Sequence, residues 1–587
     1  MPQHPRITCN TGHATGSSAD SGRKPADLTH HFNASTRARK PSVMKGLYKY
    51  FMVPGMSNIA GGLPYPGFFP YDTLRADVAS PERLLDIAFH GLTPAKASSS
   101  FFSRRRREKD PKTSHISIPK FEPSQPAEKR IDVATTLQYG RATGLPALAD
   151  FVREFTFAHM MQGQLAYAED QADIVLTCGS TDGFSKIVQC FGTAGDSMLV
   201  EEFTYPNALQ TAAPFGISTA PVRMDEGGMM VDGPGGLRDV LENWNVEKSG
   251  RRPHLMYTVT IGQNPTGITL KRQRRKEIYE LCDRFDVLIL EDDPYWHLQF
   301  TPESHNLPSD TETKYPFLAA LELSFLSIDT SGRVIRLDTF SKTIAPGCRM
   351  GWITAQKPII AAIVAATESS TQQPSGFVQG MVAELLCRAW GMDGWVAWLE
   401  SLRDVYEERM VSMTAILEEG KEIITVTSRD DLEVVERTQL YSFNKPEGGM
   451  FVWIRMDVSS HPAYKAFISR GNSKADMLTK LWEWNAVTQL ALPCPGGMFT
   501  GGEKCRDKAD DYFRFCFAAI ELEEVKAATS RWVQGTEKFW HLKAWEIEKI
   551  GEAESVIGTG ANKRGQDGGW GGWIGGKGRF EVKFEDF

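Results

Sequence analysis

The segment that decides the fold reads Thr339-Phe340-Ser341-Lys342-Thr343-Ile344-Ala345-Pro346-Gly347-Cys348-Arg349, and it follows the apolar run Val334–Leu337. A short apolar run of this kind is typical of a buried parallel strand. A lysine among small hydroxyl residues, followed by a turn and an arginine, suits a cofactor that bears an aldehyde and a phosphate. An ordinary exposed loop would give the same short pattern. Other segments of the chain are therefore needed to distinguish a cofactor-binding lysine from a loop lysine.

Four similar apolar runs precede this segment, and helical patterns lie between the runs. The runs are Ile174–Thr177, Ser197–Val200, Leu255–Val259 and Val287–Leu290. This alternation predicts an α/β fold with a mostly parallel sheet. After about residue 400 the pattern changes, because long helical segments mix with strand-like stretches. We therefore expect a second, smaller α+β domain.

Acidic residues follow the run Val287–Leu290, in the order Glu291-Asp292-Asp293. A carboxylate at a strand end can pair with a protonated ring nitrogen, and Tyr295 could reach the same ligand. Asp-Pro is also common turn chemistry. Three consecutive acids repel one another unless something cationic compensates them, which favours a functional interpretation.

Three other strand ends carry groups suited to a flat, phosphorylated ligand, since ligands collect at the carboxyl ends of strands in open α/β sheets. Ser180 and Thr181 open a helix, where backbone N–H groups bind phosphate. Tyr205 could stack on a ring, and Asn264 could present its amide. Each feature alone is equally typical of a turn or a core residue.

Arg514 lies inside the strand-like run Tyr512–Phe517, on the face opposite Phe513 and Phe515. An arginine within an apolar strand needs a partner. A substrate carboxylate gripped by both guanidinium nitrogens is one candidate. A structural ion pair is the other, and the strand alone does not separate them.

Composition restricts the class of protein. The chain has 587 residues, a net charge of −7, 41% hydrophobic and 24% charged residues, which are globular values. The acidic balance argues against a nucleic-acid partner, and no apolar stretch is long enough to predict a membrane span.

The nine cysteines form no CxxC pair, so we predict a reducing, cytoplasmic location. The basic N-terminus keeps a mitochondrial leader as an alternative. No metal site is predicted.

Taken together and in this order, the motifs resemble the fold type I aminotransferases of classes I and II, which depend on pyridoxal 5'-phosphate (PLP). The resemblance is strongest to the fungal aromatic amino acid aminotransferases and the kynurenine/2-aminoadipate aminotransferases. It runs from about Asp27 to about Thr529 and includes Gly61-Gly62-Leu63-Pro64 and Leu137-Gln138-Tyr139-Gly140. It implies a large domain with a mostly parallel seven-stranded sheet between helices, plus the smaller α+β domain.

The resemblance also implies roles for the residues around the cofactor. Lys342 would form the Schiff base and move the substrate proton, Asp292 would keep the pyridine nitrogen protonated, and Tyr205 would stack on the ring. Hydrogen bonds from Asn264 and Tyr295 would reach the ring's phenolate oxygen. The phosphate would be held by a polar set: Ser180, Thr181, Thr339, Ser341 and Arg349.

For the substrate, the resemblance implies that Arg514 binds the α-carboxylate, with Asn264 beside it. Gly61 and Gly62 would belong to a segment that covers the pocket. Tyr139 would reach the partner's site in a homodimer.

The implied reaction is a ping-pong transamination, which moves the amino group of Tyr, Phe or Trp to 2-oxoglutarate. A kynurenine or 2-aminoadipate substrate stays open, as does a PLP-dependent lyase or decarboxylase on the same fold. General and specialised metabolism are not separated by these residues.

Six segments are predicted along the chain. They are a flexible arm (1–25), an N-terminal segment covering the active site (26–93), a disordered surface insertion (94–130), a large PLP-binding domain (131–395), a small C-terminal domain (396–545) and a tail rich in Gly and Trp (546–587).

Overall fold

A computed structural model describes residues 23–39, 63–84, 113–300, 313–429 and 432–551 of the chain. The strands are β1 Thr73–Ala79, β2 Thr113–Pro119, β3 Ala172–Thr177, β4 Ser197–Glu201, β5 Ser218–Val222, β6 Met224–Asp225, β7 Gly228–Met229, β8 Leu255–Thr258, β9 Leu288–Asp292, β10 Val334–Thr339, β11 Gly351–Gln356, β12 Glu422–Arg429, β13 Leu432–Gln439, β14 Tyr441–Phe443, β15 Phe451–Met456, β16 Cys494–Pro495 and β17 Tyr512–Cys516.

The α-helices are α1 Ala34–Ala38, α2 Val133–Thr136, α3 Pro146–Glu154, α4 Ser180–Phe191, α5 Pro206–Ala212, α6 Leu237–Glu242, α7 Val246–Ser249, α8 Arg272–Arg284, α9 Pro316–Ala319, α10 Lys357–Glu368, α11 Gly376–Ala383, α12 Gly391–Glu419, α13 Tyr464–Ser469, α14 Lys474–Thr488, α15 Arg506–Ala509, α16 Leu522–Trp540 and α17 Ala544–Glu548. Single π-helical turns continue α3 and α11.

A seven-stranded sheet forms the centre of the large domain, with the strand order β3-β11-β10-β9-β8-β4-β5. All its strands are parallel except β11, which runs antiparallel to both of its neighbours. Its central strands are buried on both faces, and hydrophobic clusters fill each side of the sheet, one around Trp352 and Ile278 and one around Ile187 and Ile363. The predicted α/β fold with a mostly parallel seven-stranded sheet is confirmed.

The smaller domain is built on the antiparallel sheet β14-β15-β17-β16. Leu417, Leu481 and Trp532 bring helices α12, α14 and α16 into its core. The first half of α12 packs instead in the large domain, through Trp395 and Leu399. This 29-residue helix therefore joins the two cores, and the predicted α+β domain is confirmed.

One predicted segment is wrong in part. Residues 113–119 belong to the predicted disordered insertion, yet they form strand β2, which pairs antiparallel with β1. Ile116 and Ile118 are buried, and their alternation with Ser117 is the strand signal that the polar average of residues 94–130 conceals. The rest of the insertion before residue 113 lies outside the described residues.

The predicted tail also begins too early. Helix α17 crosses its proposed start at residue 546, and Ile547 is buried in the core of the small domain. The remaining domain boundaries stay predictions. Within the described ranges, every helix is either too short or too polar to cross a lipid bilayer.

Candidate active site

The carboxyl edge of the large sheet gathers most of the predicted site residues. Asp292 is the last residue of β9, and Lys342 ends the 3-10 turn that follows β10, the neighbouring strand. Tyr205 and Asn264 follow β4 and β8, which come next in the sheet. Gly61 and Gly62 lie outside the described residues.

The turn that carries Lys342 is held from both sides. Thr339 caps it, since its hydroxyl accepts a hydrogen bond of 3.1 Å from the Ser341 N–H, and Trp398 on α12 donates to the Thr343 carbonyl at 2.8 Å. Burial lowers the pKa of Lys342, and the positive charges of Arg514 and Arg349 act in the same direction. A lowered pKa favours the neutral amine, which is the nucleophilic form.

The three acids at the end of β9 point alternately to two sides. Glu291 lies 3.4 Å from the Arg336 guanidinium and 3.5 Å from that of Arg275, and Asp293 lies 3.1 Å from Arg336. Asp292, in contrast, has no Lys, Arg or His partner in the part of the chain that the structure describes. Arginines therefore compensate the charges of Glu291 and Asp293, as expected, but not that of Asp292.

Asp292 is a buried carboxylate with one oxygen satisfied. Its Oδ2 accepts a hydrogen bond of 2.8 Å from the Tyr257 hydroxyl, whereas its buried Oδ1 accepts no hydrogen bond from any residue that the structure describes. Burial raises the pKa of Asp292 to about 7. A cationic N–H donor placed at Oδ1 would satisfy this atom and restore the charged form, so the site fits the protonated nitrogen of a pyridine ring.

A cradle of polar groups lies where α4 begins. Gly179 precedes the helix with φ of +89°, and a Cβ atom there would come within 2.6 Å of Arg349 Nη2. Arg349 Nη1 donates to Ser341 Oγ at 3.2 Å, and Ser341 Oγ lies 2.9 Å from Thr339 Oγ1. A helix N-terminus, a guanidinium and two hydroxyls therefore converge, as a phosphate requires.

A cavity is lined both by residues at the start of α4 and by Asp292. Its walls include Ser180, Thr181, Tyr205, Tyr257 and Asp292. The start of α4 and Asp292 both border this cavity, so the residues present fit PLP, whose phosphate would lie at α4 and whose ring nitrogen would lie at Asp292. Tyr205 borders the same space, where the prediction has it stacking on the ring.

Asn264 and Tyr295 stand between β8 and the small domain. The Asn264–Pro265 peptide bond is cis, and Asn264 Oδ1 accepts a hydrogen bond of 2.7 Å from Arg514 Nη1. The amide nitrogen of Asn264 is then the atom left to donate to a ligand. Tyr295 is buried against Phe451, and this burial raises its pKa, so the phenol stays protonated as a hydrogen-bond donor.

Arg514 projects from β17 toward the large domain, opposite the buried Phe513 and Phe515, as predicted. Its guanidinium lies between two rings, 4.3 Å from the centre of Phe451 and 4.5 Å from that of Phe499. No carboxylate pairs with it among the described residues, and its buried Nε has no partner. Of the two readings of this arginine, the structure favours a ligand carboxylate over a structural ion pair.

Tyr139 is not part of this cluster within one chain. Its side chain is 56% exposed, and the neighbouring Gln138 donates to the Pro64 carbonyl at 2.8 Å. An exposed aromatic ring at this place is accessible to another chain.

The sequence interpretation missed four residues that shape the site, and they are Tyr257, Arg336, Phe451 and Phe499. Arg336 could have been predicted from the sequence, because it interrupts the apolar run Val334–Leu337 just as Arg514 interrupts its own strand. Tyr257 is the one hydroxyl-bearing ring within β8. Nothing in the sequence marks Phe451 or Phe499 as neighbours of Arg514, since they come from separate elements.

The chain matches the family model for aminotransferase class I and II over residues 121–531. Curated relatives include an L-tyrosine:2-oxoglutarate aminotransferase of Tapinella panuoides, 34% identical over 75% of this chain and 76% of that protein. An aromatic amino acid aminotransferase of Schizosaccharomyces pombe is 31% identical over 86% of this chain and 97% of its own length.

A mitochondrial kynurenine/alpha-aminoadipate aminotransferase of Bos taurus is 30% identical over 72% of this chain and 87% of its own. Among solved structures, the aminotransferase Aro8 of Candida albicans superposes with a TM-score of 0.71. It is 31% identical and covers 89% of this chain and all of its own.

Proposed function

Since the chain belongs to the class I and II aminotransferases, we propose that it moves the amino group of an aromatic amino acid to 2-oxoglutarate. It is a PLP-dependent enzyme. The choice of an aromatic substrate rests on the two relatives named for it, from Tapinella panuoides and Schizosaccharomyces pombe. The observation that carries the proposal is Arg514, a cation that pairs with no carboxylate among the described residues and that donates a hydrogen bond of 2.7 Å to Asn264 Oδ1.

Arg514 binds and orients the substrate in this proposal. Both an amino acid and a 2-oxo acid carry an α-carboxylate, so the same guanidinium receives the donor and the acceptor of the amino group. Phe451 and Phe499 cover its two faces and keep water away from the charge pair that forms.

Lys342 is proposed to hold the cofactor and to move the proton. When bound, PLP supplies an aldehyde carbon that accepts the amino group and a ring that delocalises the electron pair left behind by the α-proton. The lowered pKa of Lys342 favours its neutral amine, and in that form its Nζ could take the proton from the substrate's Cα.

Asp292 is proposed to keep that ring electron-poor. Its unsatisfied Oδ1 would accept the N–H of the ring nitrogen, while Tyr257 fixes the other oxygen. Ser180, Thr181, Thr339, Ser341 and Arg349 would hold the phosphate, and the Asn264 amide and Tyr295 hydroxyl would donate to the ring oxygen.

The test is a coupled assay of the purified protein with PLP and 2-oxoglutarate, run in parallel on Tyr, Phe, Trp, kynurenine, 2-aminoadipate and Leu. The proposal expects the highest kcat/KM with an aromatic amino acid and one glutamate formed for each amino acid consumed. A preference for 2-aminoadipate would favour the second candidate, which the Bos taurus relative supports. Release of ammonia or carbon dioxide without glutamate would contradict transamination.

We also propose a homodimer. Exposed aromatic side chains occur on neighbouring segments around Tyr139, where Tyr71 and Phe377 have their ring centres 5.0 Å apart, and Phe68 is 84% exposed. Contiguous apolar surface of this kind favours burial against another chain. Light scattering on the purified holoenzyme should give twice the chain mass of 65.4 kDa, and a monomer would contradict the proposal. The cytoplasmic location stays a prediction.

A further inference from the structure

A polar network lies at the amino edge of the large sheet, opposite the candidate active site. Asp196, His254 and Asp286 come just before β4, β8 and β9, which are neighbours in the sheet. The N-terminal turn Thr29–His31 lies against them and inserts the ring of His31. None of these residues takes part in the proposed reaction.

Three contacts run through this network in a row. His31 Nε2 lies 3.0 Å from Asp286 Oδ1, His31 Nδ1 lies 3.1 Å from His254 Nδ1, and His254 Nε2 lies 3.2 Å from Asp196 Oδ2. Both imidazole side chains are buried, at 0% and 4% exposure. Each contact needs one N–H, but two neutral imidazoles have only two and carboxylates have none. The row is therefore one donor short.

A third nitrogen approaches the same carboxylate from outside. His30 Nε2 lies 2.6 Å from Asp286 Oδ2, and the ligand atoms of His30, His31 and Asp286 all lie within 4.8 Å of one another. His30 and Asp286 are half-exposed, so water can complete the coordination. Two imidazoles and a carboxylate are a ligand set that Zn²⁺ prefers, with bonds of about 2.0 to 2.2 Å. Small side-chain shifts would bring the three atoms to that distance.

We propose that His30, His31 and Asp286 bind a divalent transition-metal ion, with Zn²⁺ as the favoured ion. With the ion on His31 Nε2, the proton of His31 is on Nδ1, and this N–H donates a hydrogen bond to His254 Nδ1. The proton of His254 is on Nε2, and that N–H donates a hydrogen bond to Asp196. The ion then takes the place of the missing donor between His31 and Asp286, and each of the other two contacts has one N–H donor. The pair His254–Asp196 orients the ligand His31, as hydrogen-bonded partners of metal-binding imidazoles commonly do.

Arg333 is the competing cation at this place. Its Nη1 lies 3.7 Å from Asp286 Oδ1, but its Nε and Nη2 donate to Asp283 and its Nη1 donates to the Val287 carbonyl. Arg333 is thus committed to other acceptors, and the oxygens of Asp286 remain directed at the two histidines.

The ion would act as a structural clamp. The residues after His31 already attach to the large domain, because Asn33 donates to the carbonyls of Gln189 and Gly192 at 2.8 and 2.7 Å. A metal bridge from His30 and His31 to Asp286 would fix the same turn to the start of β9. It would stabilise the fold without touching Lys342.

The test compares three full-length holoenzymes, namely wild type, His30→Ala and His115→Ala. His115 is the matched control, because it forms an exposed pair with Asp77, at 2.9 Å, on a different part of the molecule. After treatment with a chelator, each protein is dialysed against Zn²⁺ and analysed for bound metal and for Tm. The eight described cysteines are unpaired, so Co²⁺ is used as a second probe whose absorption separates thiolate ligands from nitrogen and oxygen ligands.

Wild type and His115→Ala should bind one more equivalent of Zn²⁺ than His30→Ala, and Zn²⁺ should raise their Tm by a few degrees, since binding to the folded state alone stabilises it. The extra Co²⁺ should show no thiolate charge-transfer band. The transaminase activity of His30→Ala should equal that of wild type. Equal metal content and equal Tm shifts in all three proteins would overturn the proposal. An extra proton shared by His31 and His254 would then supply the missing donor for the three contacts.

Discussion

The end of β9 carries buried carboxylates on both of its sides, but only the carboxylates on one side are paired with arginines. On one side, the carboxylates of Glu291 and Asp293 are buried with Arg275 and Arg336. On the other, Asp292 is buried with a tyrosine hydroxyl, and the described part of the chain supplies it with no counter-charge. The first side is a self-sufficient ion cluster that holds the sheet edge together. The second side has an unsatisfied carboxylate oxygen that a cationic ligand could satisfy.

This contrast shows what separates a structural charge from a functional one. A buried carboxylate without a cation is costly, and such groups are concentrated at functional sites. The arginine cluster lets three acids stand in a row, so that the middle one can be left unpaired. The account therefore predicts stability effects on one side and activity effects on the other.

The largest expected effect is on the compensated side. Arg336→Met should lower the free energy of unfolding by about 3 to 5 kcal/mol, because Glu291, Asp293 and Asp338 would lose their shared counter-charge. Urea unfolding with saturating PLP measures this loss. A midpoint equal to that of wild type would show that the cluster does not hold this edge.

The next effect is on activity. Asp292→Asn should lower kcat by about 10²- to 10³-fold, an effect of the size seen when one preorganised electrostatic group is removed. The fold should survive, because Asn can still accept the Tyr257 hydrogen bond. Asp293→Asn is the matched control, one residue away, and its folded fraction should keep nearly normal kcat while its stability falls. Equal kcat losses in the two variants would erase the distinction between the two sides.

A pH dependence of stability should follow from the same carboxylate. In the PLP-free protein the pKa of Asp292 is raised to about 7, so the folded state binds a proton that the unfolded chain has already released above about pH 4. Wild type should therefore lose stability between about pH 4 and 7, by a few kcal/mol at most, and Asp292→Asn should lack this loss. Parallel stability curves for the two PLP-free proteins would contradict the raised pKa.

The smallest effect concerns the donor to Asp292. Tyr257→Phe removes one hydrogen bond to a group that is charged in the working enzyme, which is worth about 1.5 to 3 kcal/mol. We expect kcat/KM to fall by about 10- to 100-fold, less than for Asp292→Asn, with PLP still bound. A Tyr257→Phe enzyme as impaired as Asp292→Asn would mean that the tyrosine has a role of its own in the reaction.

Most of the fold, and the meeting of many candidate site residues at one sheet edge, could be predicted from the sequence, since both depend on local patterns. Buried strands such as Leu288–Asp292 are short apolar runs, and the residues after them must meet at one edge of a parallel sheet. Strand β2 was missed because its two isoleucines are averaged with a basic, polar segment. The π-helical turns after α3 and α11 carry no simple signal.

What the sequence could not provide is the pairing between distant charges. The three consecutive acids at 291 to 293 predicted nearby cations. Only the tertiary structure shows that Arg275 and Arg336 pair with Glu291 and Asp293 and that neither pairs with Asp292. Arg514 was recognisable as an arginine in need of a partner, whereas its position between Phe451 and Phe499 depends on how the two domains meet.

The most direct test of the central claim is borohydride reduction of the purified holoenzyme, followed by peptide mapping with mass spectrometry. If Lys342 holds the cofactor opposite Asp292, the pyridoxyl label should be found on the peptide that contains Lys342, and Lys342→Ala should take up no label while staying folded. A label on another lysine, or an unlabelled Lys342 in active enzyme, would contradict the account.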